Sequence, residues 1–195
     1  MASLFDQLES EAFRKGIQAR SKEANTWFAK KAKALGPIGA PQMLKDDRLE
    51  KTEVNSGDMV MYTYDPKTKA TLPYYDTFPL VLPLENYNDG FLGLNFHYLS
   101  IPMRLKLLSV ITEYATDDRM DENTKIRLTW NRIKRNPMVK PTVKRYLASH
   151  VKSPFRKIEA DEMMLAVLLP VQRFVKATDN KVYSDSRRMS NQRRV

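Results

Sequence analysis

Residues 58–99 constrain the fold more than any other part of the chain, because they allow little besides an antiparallel meander. DMVMYTY alternates apolar and polar residues, the period of a strand with two unlike faces. DPKT then makes a turn with proline at its second position. FPLVLPLE is an apolar run of buried-strand type, and its two prolines mark an edge or a short strand. YNDG leads into FLGLNFHYL, and Asp-Gly between apolar runs is the strongest short hairpin cue. The pattern predicts three antiparallel strands around one core holding Leu80, Leu82, Leu92, Leu94 and Phe96. Tyr74, Tyr75 and Tyr98 suit the rim, since a tyrosine buries its ring while its tip still hydrogen-bonds.

The flanks read as helix. Leu4, Phe5, Leu8 and Phe13 fall on one stripe, and a second segment, SKEANTWFAKKAKALG, carries Trp27 and Phe28 before Gly36 and Pro37 stop it. Such short helices are marginal alone in water, so the stripe needs a surface, either an assembly partner or the chain's own core. Residues 36–57 read as a linker or extended arm. RLKLLSVITEYA and DENTKIRLTWNRIKR are helical in period, and PTVKRYLASHV reads as a shorter helix opened by Pro141. FRKIE and QRFVKA are strand candidates, ADEMMLAVLLP a short helix or buried strand, and residues 179–195 a polar basic tail. Two late strands closing onto the early three give an α+β fold: a small antiparallel SH3-like β-barrel with a helical insertion at about 101–152. The expected division is 1–57 (arm and linker), 58–178 (barrel) and 179–195 (tail).

Charge is the second strong signal. The net charge of the 195 residues is +10, and its placement is uneven. Between Glu122 and Glu159 no acid occurs in 36 residues, while Lys125, Arg127, Arg132, Lys134, Arg135, Lys140, Lys144, Arg145, Lys152, Arg156 and Lys157 all fall there. Arg187 and Arg188 extend the basic character into the tail. An ordinary solvated face mixes signs, so this block points to an anionic partner: nucleic acid, a membrane surface or an acidic protein face. Trp130, Tyr146 and Phe155 interleave with the bases, as a stacking surface for single strands requires, but Trp130 falls on the apolar stripe with Ile126 and Ile133 and is expected in the core. No base-reading motif appears, so DNA contact would be driven by the backbone and sensitive to salt.

Catalysis has little to work with. There is no cysteine, no phosphate-binding glycine loop and no metalloprotease or nucleophile-elbow motif. His97, expected to face the same side as Phe91, reads as a satisfied structural histidine, and His150 has no nearby carboxylate in sequence to orient it. Glu159, Asp161 and Glu162 read as acids at a helix start, and Asp117, Asp118, Asp121 and Glu122 as a solvated loop. The expectation is a protein that is not an enzyme, with no catalytic residues, no cofactor and no metal. The longest apolar run, near Met163–Val171, falls far short of a membrane span, so no membrane partner is expected.

YDPKTKATLPYYDTFPLVLPL followed by GFLGLNFHYL, then RYLASHVKSPFRKIE, AVLLPVQRFVK and VYSDSRR, resembles small virion proteins of contractile-tailed bacteriophages. WFAKKAKAL and LKDDRL extend the likeness towards the start. Such proteins are labelled structural proteins or DNA end-protector proteins. The resemblance implies a non-catalytic product made in the bacterial host cytoplasm and carried in the virion. The main reading is a structural part of a neck, tail or baseplate, in several copies among other virion proteins. On that reading Leu4, Phe5, Leu8, Phe13, Trp27, Phe28, Tyr74 and Tyr75 are assembly contacts. The alternative is a protein that protects or contacts the ends of packaged DNA through its basic residues.

Overall fold

A computed structural model describes residues 4–17, 22–34, 49–50, 54–115, 130–131, 133–160 and 162–192. Its strands are β1 (Leu49–Glu50), β2 (Met59–Met61), β3 (Tyr75–Asp76), β4 (Leu80–Tyr87), β5 (Gly90–Asn95), β6 (Val143–Leu147), β7 (Phe155–Ile158) and β8 (Phe174–Val175). The Asp89-Gly90 hairpin forms as the sequence predicts, with β4 and β5 paired from Tyr87↔Gly90 to Val81↔Asn95. The ladder slips between Pro83 and Glu85, where proline has no N–H to offer. Gly90 is required by space as well as by its φ of +153°. A Cβ there would lie 1.9 Å from the Tyr146 carbonyl oxygen.

Six strands form one antiparallel sheet in the order β1-β7-β2-β4-β5-β6, while β3 and β8 pair separately. Alternation along each strand buries both faces. Met59, Met61, Leu80, Leu82, Leu94 and Ile158 turn to the helical layer. Val60, Tyr62, Val81, Phe91, Tyr146 and Phe155 turn the other way and make an aromatic cluster of their own. The Tyr62 ring lies 4.9 Å from Phe155 on β7 and 5.6 Å from Tyr146 on β6. Strands from the two flanks of the sheet therefore meet on one ring, so the sheet is rolled. It is not closed. The outer edge of β7, which a barrel would join to β6, is occupied by β1 through Leu49↔Arg156 and Glu50↔Phe155. The expected SH3-like barrel is thus replaced by a rolled, open sheet in an α+β fold, and the segment read as linker supplies the strand that occupies β7's outer edge.

The helices are α1 (Leu4–Arg14), α2 (Lys22–Ala34), α3 (Ile101–Ala115), α4 (Met163–Leu168) and α5 (Asp179–Asn191). Leu8, Ala12, Ala24, Phe28 and Ala32 are buried in the same cluster as Met59, Leu80, Leu107 and Leu165. Leu8 and Phe28 of the arm are therefore covered by the chain's own core. Three further expectations change. PTVKRYLASHV is β6 followed by a 3-10 turn (Ala148–His150), because Thr142, Val143 and Tyr146 favour extended backbone and the edge of β5 is there to pair. QRFVKA contributes only β8, outside the main sheet. The expected tail is helical, capped by the Thr178 side chain accepting from the Lys181 N–H. Leu92, predicted for the core, is half-buried, while Leu80, Leu82, Leu94 and Phe96 are buried.

Candidate nucleic-acid interface

The buried polar groups are structural. Asp76, on β3, accepts from the Phe78 and Arg173 N–H groups through Oδ1 and from Asn95 Nδ2 through Oδ2. His97 Nδ1 is 2.8 Å from the same Oδ2. Burial alone would raise the Asp76 carboxyl, but His97 and the two backbone donors bring it below its ordinary value. Burial pushes the His97 imidazole down by more than Asp76 returns, so the ring is neutral at neutral pH and donates from Nδ1. Its Nε2 faces no partner, as a neutral ring permits. β5 ends at Asn95 and residues 96–98 coil into a 3-10 turn, so the strand alternation that set His97 beside Phe91 does not extend to it. Arg104, also fully buried, donates to the Leu99 carbonyl at 2.8 Å, Gln172 Oε1 at 3.0 Å and the Tyr183 hydroxyl at 2.9 Å, and Gln172 donates on to Asp179. These bonds pin α5 to the body.

The basic block sorts into spent and available charge. Arg156 is buried and paired with Glu162 at 3.1 Å, so it cannot reach a ligand. Glu162 is thereby a buried counter-ion, not a simple helix-start acid, and Glu159 lends it a backbone N–H. Lys157 pairs with Asp58 at 3.3 Å. Arg145 pairs with Asp89 and lies over the Tyr87 ring at 4.3 Å. Arg188 pairs with Asp185 at 3.3 Å, although its side chain is largely exposed. Lys134 is exposed and donates to Asn131. Arg135, Lys140 and Arg187 are exposed with no acid paired to them among the described residues, and Lys152 stands exposed near Asp65. Lys125, Arg127, Arg132 and Asp161 lie outside the described residues, as does the loop of Asp117, Asp118, Asp121 and Glu122.

Because PTVKRYLASHV is a strand, the block forms a basic sheet edge instead of two helix faces. Lys140 stands in the turn entering β6, Lys144 and Arg145 lie on it, and Lys152 follows in the crossing to β7. β6 pairs with β5 on one side and is an edge of the sheet on the other. A basic edge strand both discourages pairing with another chain and offers charge to a polyanion. The three rings that interleave with the bases are turned into the protein, Trp130 as its place on the apolar stripe predicts. Tyr146 and Phe155 are buried in the aromatic cluster, and Trp130 packs against the helical core. The ring that does meet the block is Tyr98, expected on the rim but buried, and its partner was not legible because Lys144 lies far from it along the chain while its Nζ is 4.0 Å from the ring centroid. Tyr74 is half-buried against Tyr98 and Phe174, and Tyr75 is half-buried on β3.

Of the expected assembly contacts, Leu8 and Phe28 are buried in the core, and Trp27 is half-buried with Lys15 and Lys31 over its ring. Phe13 is 86% exposed. Leu4 and Phe5 belong to α1, but their side chains lie outside the described residues. Among the described residues, no group of three or more acids or histidines is placed to hold a metal, and no helix is long and apolar enough to cross a membrane.

Against this geometry, one comparison is decisive. The protein-family model described as "Phage T4 terminal DNA protecting protein" matches residues 3–192. The chain belongs to that family. The match takes in α1 and α2, the sheet and α5, so the terminal DNA protecting protein family covers the arm, the basic edge and the C-terminal helix together. Neither the curated proteins nor the solved structures gave a match.

Proposed function

We propose that this phage protein binds the ends of linear DNA and shields them, without turnover and without cofactor. The observation that carries the reading is the family match over residues 3–192, and the basic β6 edge gives it a physical means. The family favours this alternative over a neck, tail or baseplate role. Lys140, Lys144, Lys152, Arg135 and Arg187 contact phosphates, while Arg156 and Lys157 hold the sheet together. Contact of this kind is independent of sequence, because it goes to the phosphate backbone. The protein is made in the host cytoplasm and travels in the virion with the DNA it covers.

Exonuclease digestion of linear duplex provides the test. The protein should slow degradation from the ends, and its affinity should fall linearly in log–log form with salt, by about 0.9 per phosphate contacted. Replacing Lys140 and Lys152 with Gln should reduce that slope by roughly two. Unchanged digestion at saturating protein, or equal binding to linear and circular duplex, would overturn the reading.

A further inference from the structure

A patch of rings joins the basic edge to α5. Lys144 Nζ sits 4.0 Å from the Tyr98 ring centroid. Tyr98 meets Phe174 edge-on at 5.2 Å and lies 6.0 Å from Tyr74, which is 6.4 Å from Phe174. The Tyr74 ring lies close enough to Asp185 on α5 to feel its charge, and Asp185 pairs with Arg188. Tyr98 is buried, but Tyr74 and Phe174 are only half-buried, so ring surface stays within reach of solvent. The rings thus lie between two cations, one on a sheet edge and one on a helix.

Lys144 gives the patch its meaning. Its side chain is partly buried, and that burial lowers the ammonium to about 8, with no carboxylate among the described residues to offset the loss of water. A ring face is a partial substitute for a counter-ion, and an anion would complete the site. The ligand that suits the whole patch carries a phosphate and a flat base. Every nucleotide has both, and base–aromatic stacking tolerates any sequence.

We propose that Lys144, Tyr98, Tyr74 and Phe174 receive an unpaired terminal nucleotide of a DNA end. Its phosphate meets the Lys144 ammonium, its base lies on the open surface of Tyr74 and Phe174, and Arg188 serves the neighbouring phosphate. The site rests on the reading that the chain binds DNA ends, and it supplies what a basic edge alone lacks, a reason to prefer an end over the middle of a duplex.

The test uses the full chain and a duplex with a short overhang carrying 2-aminopurine at its last position. Wild type and Tyr74→Phe should quench the fluorophore. Tyr74→Ala and Phe174→Ala should lose the quench and bind the overhang roughly tenfold more weakly, while their affinity for blunt duplex stays unchanged. Lys144→Met should lower the salt slope by about one. Melting curves of each variant separate lost binding from lost folding, and Tyr74→Phe keeps the ring if Tyr74→Ala does not fold. If both alanine variants quench and bind the overhang as wild type does, the stacking site is wrong and the end-binding reading stands. Equal binding to an overhang and to a single-stranded circle removes the terminal preference and overturns the proposal. Failure of wild type to prefer ended over circular duplex sinks the end-binding reading itself, and the site with it.

Discussion

His97 and Lys144 both make stability rise with pH, in two separate windows. The folded His97 imidazole lies below its ordinary 6.5, because burial outweighs the pull of Asp76. As pH falls below 6.5, the unfolded chain takes up this proton first, so stability declines. Asp76 adds to the decline further down, since its folded carboxyl is held below 3.8 and its contribution is lost as pH falls through the folded value. Denaturant melts between pH 7 and about pH 5 should show the loss, and His97→Gln should flatten it. Lys144 acts at the other end. Its folded ammonium loses its proton near 8, against 10.5 when unfolded, so stability rises as pH climbs between those values. Wild type should therefore gain stability from pH 8 to about pH 9, and Lys144→Met should gain less. Nearer pH 10 the tyrosines oppose the gain, because burial raises Tyr62, Tyr98 and Tyr146 in the folded chain while unfolded tyrosines ionise at their ordinary 10.

At the scale of elements, the arm is where sequence and structure part most clearly. The stripe of Leu8 and Phe28 is legible from spacing, but its target is not, because amphipathicity states that a face must be covered and not by what. On α2 the face lies against α4 and α1, within the cluster that also holds Met59 and Leu80 of the sheet. Removal of residues 1–34 should therefore lower the melting temperature sharply, where an assembly handle would leave it unchanged. Phe28→Ala alone should cost about 3–5 kcal/mol in denaturant melts, as for other buried phenylalanines. β6 was hidden for a different reason. Its Lys144-Arg145 pair and the opening Pro141 mimic a helix start, and only the bare edge of β5 makes the extended form pay. α5 was hidden because it is polar throughout. Val182 and Ser186 are its buried positions, and the bonds from Arg104 to Tyr183 and from Gln172 to Asp179 hold it in place.

Across the whole molecule, the legible parts are those set by neighbours in sequence. The β4–β5 hairpin follows from Asp-Gly and a period of two, and it formed where predicted. The basic block was visible as charge, but how much of it was free was not. Lys157 is matched by Asp58, a residue almost a hundred positions away, and the Tyr98 ring comes to Lys144 from the end of another strand. Sheet closure is equally remote, since it turns on Leu49 meeting Arg156. That arrangement has a consequence for synthesis. Met61 pairs with Leu80 on one side and Arg156 on the other, so β2 has one edge satisfied early and one left bare until residue 158 has emerged. An unpaired apolar edge invites wrong partners for as long as it lasts, and contacts this distant along the chain are slow to form. The nascent protein therefore carries an adhesive strand through about half of its translation, and a truncated product ending before β7 keeps that strand exposed for good.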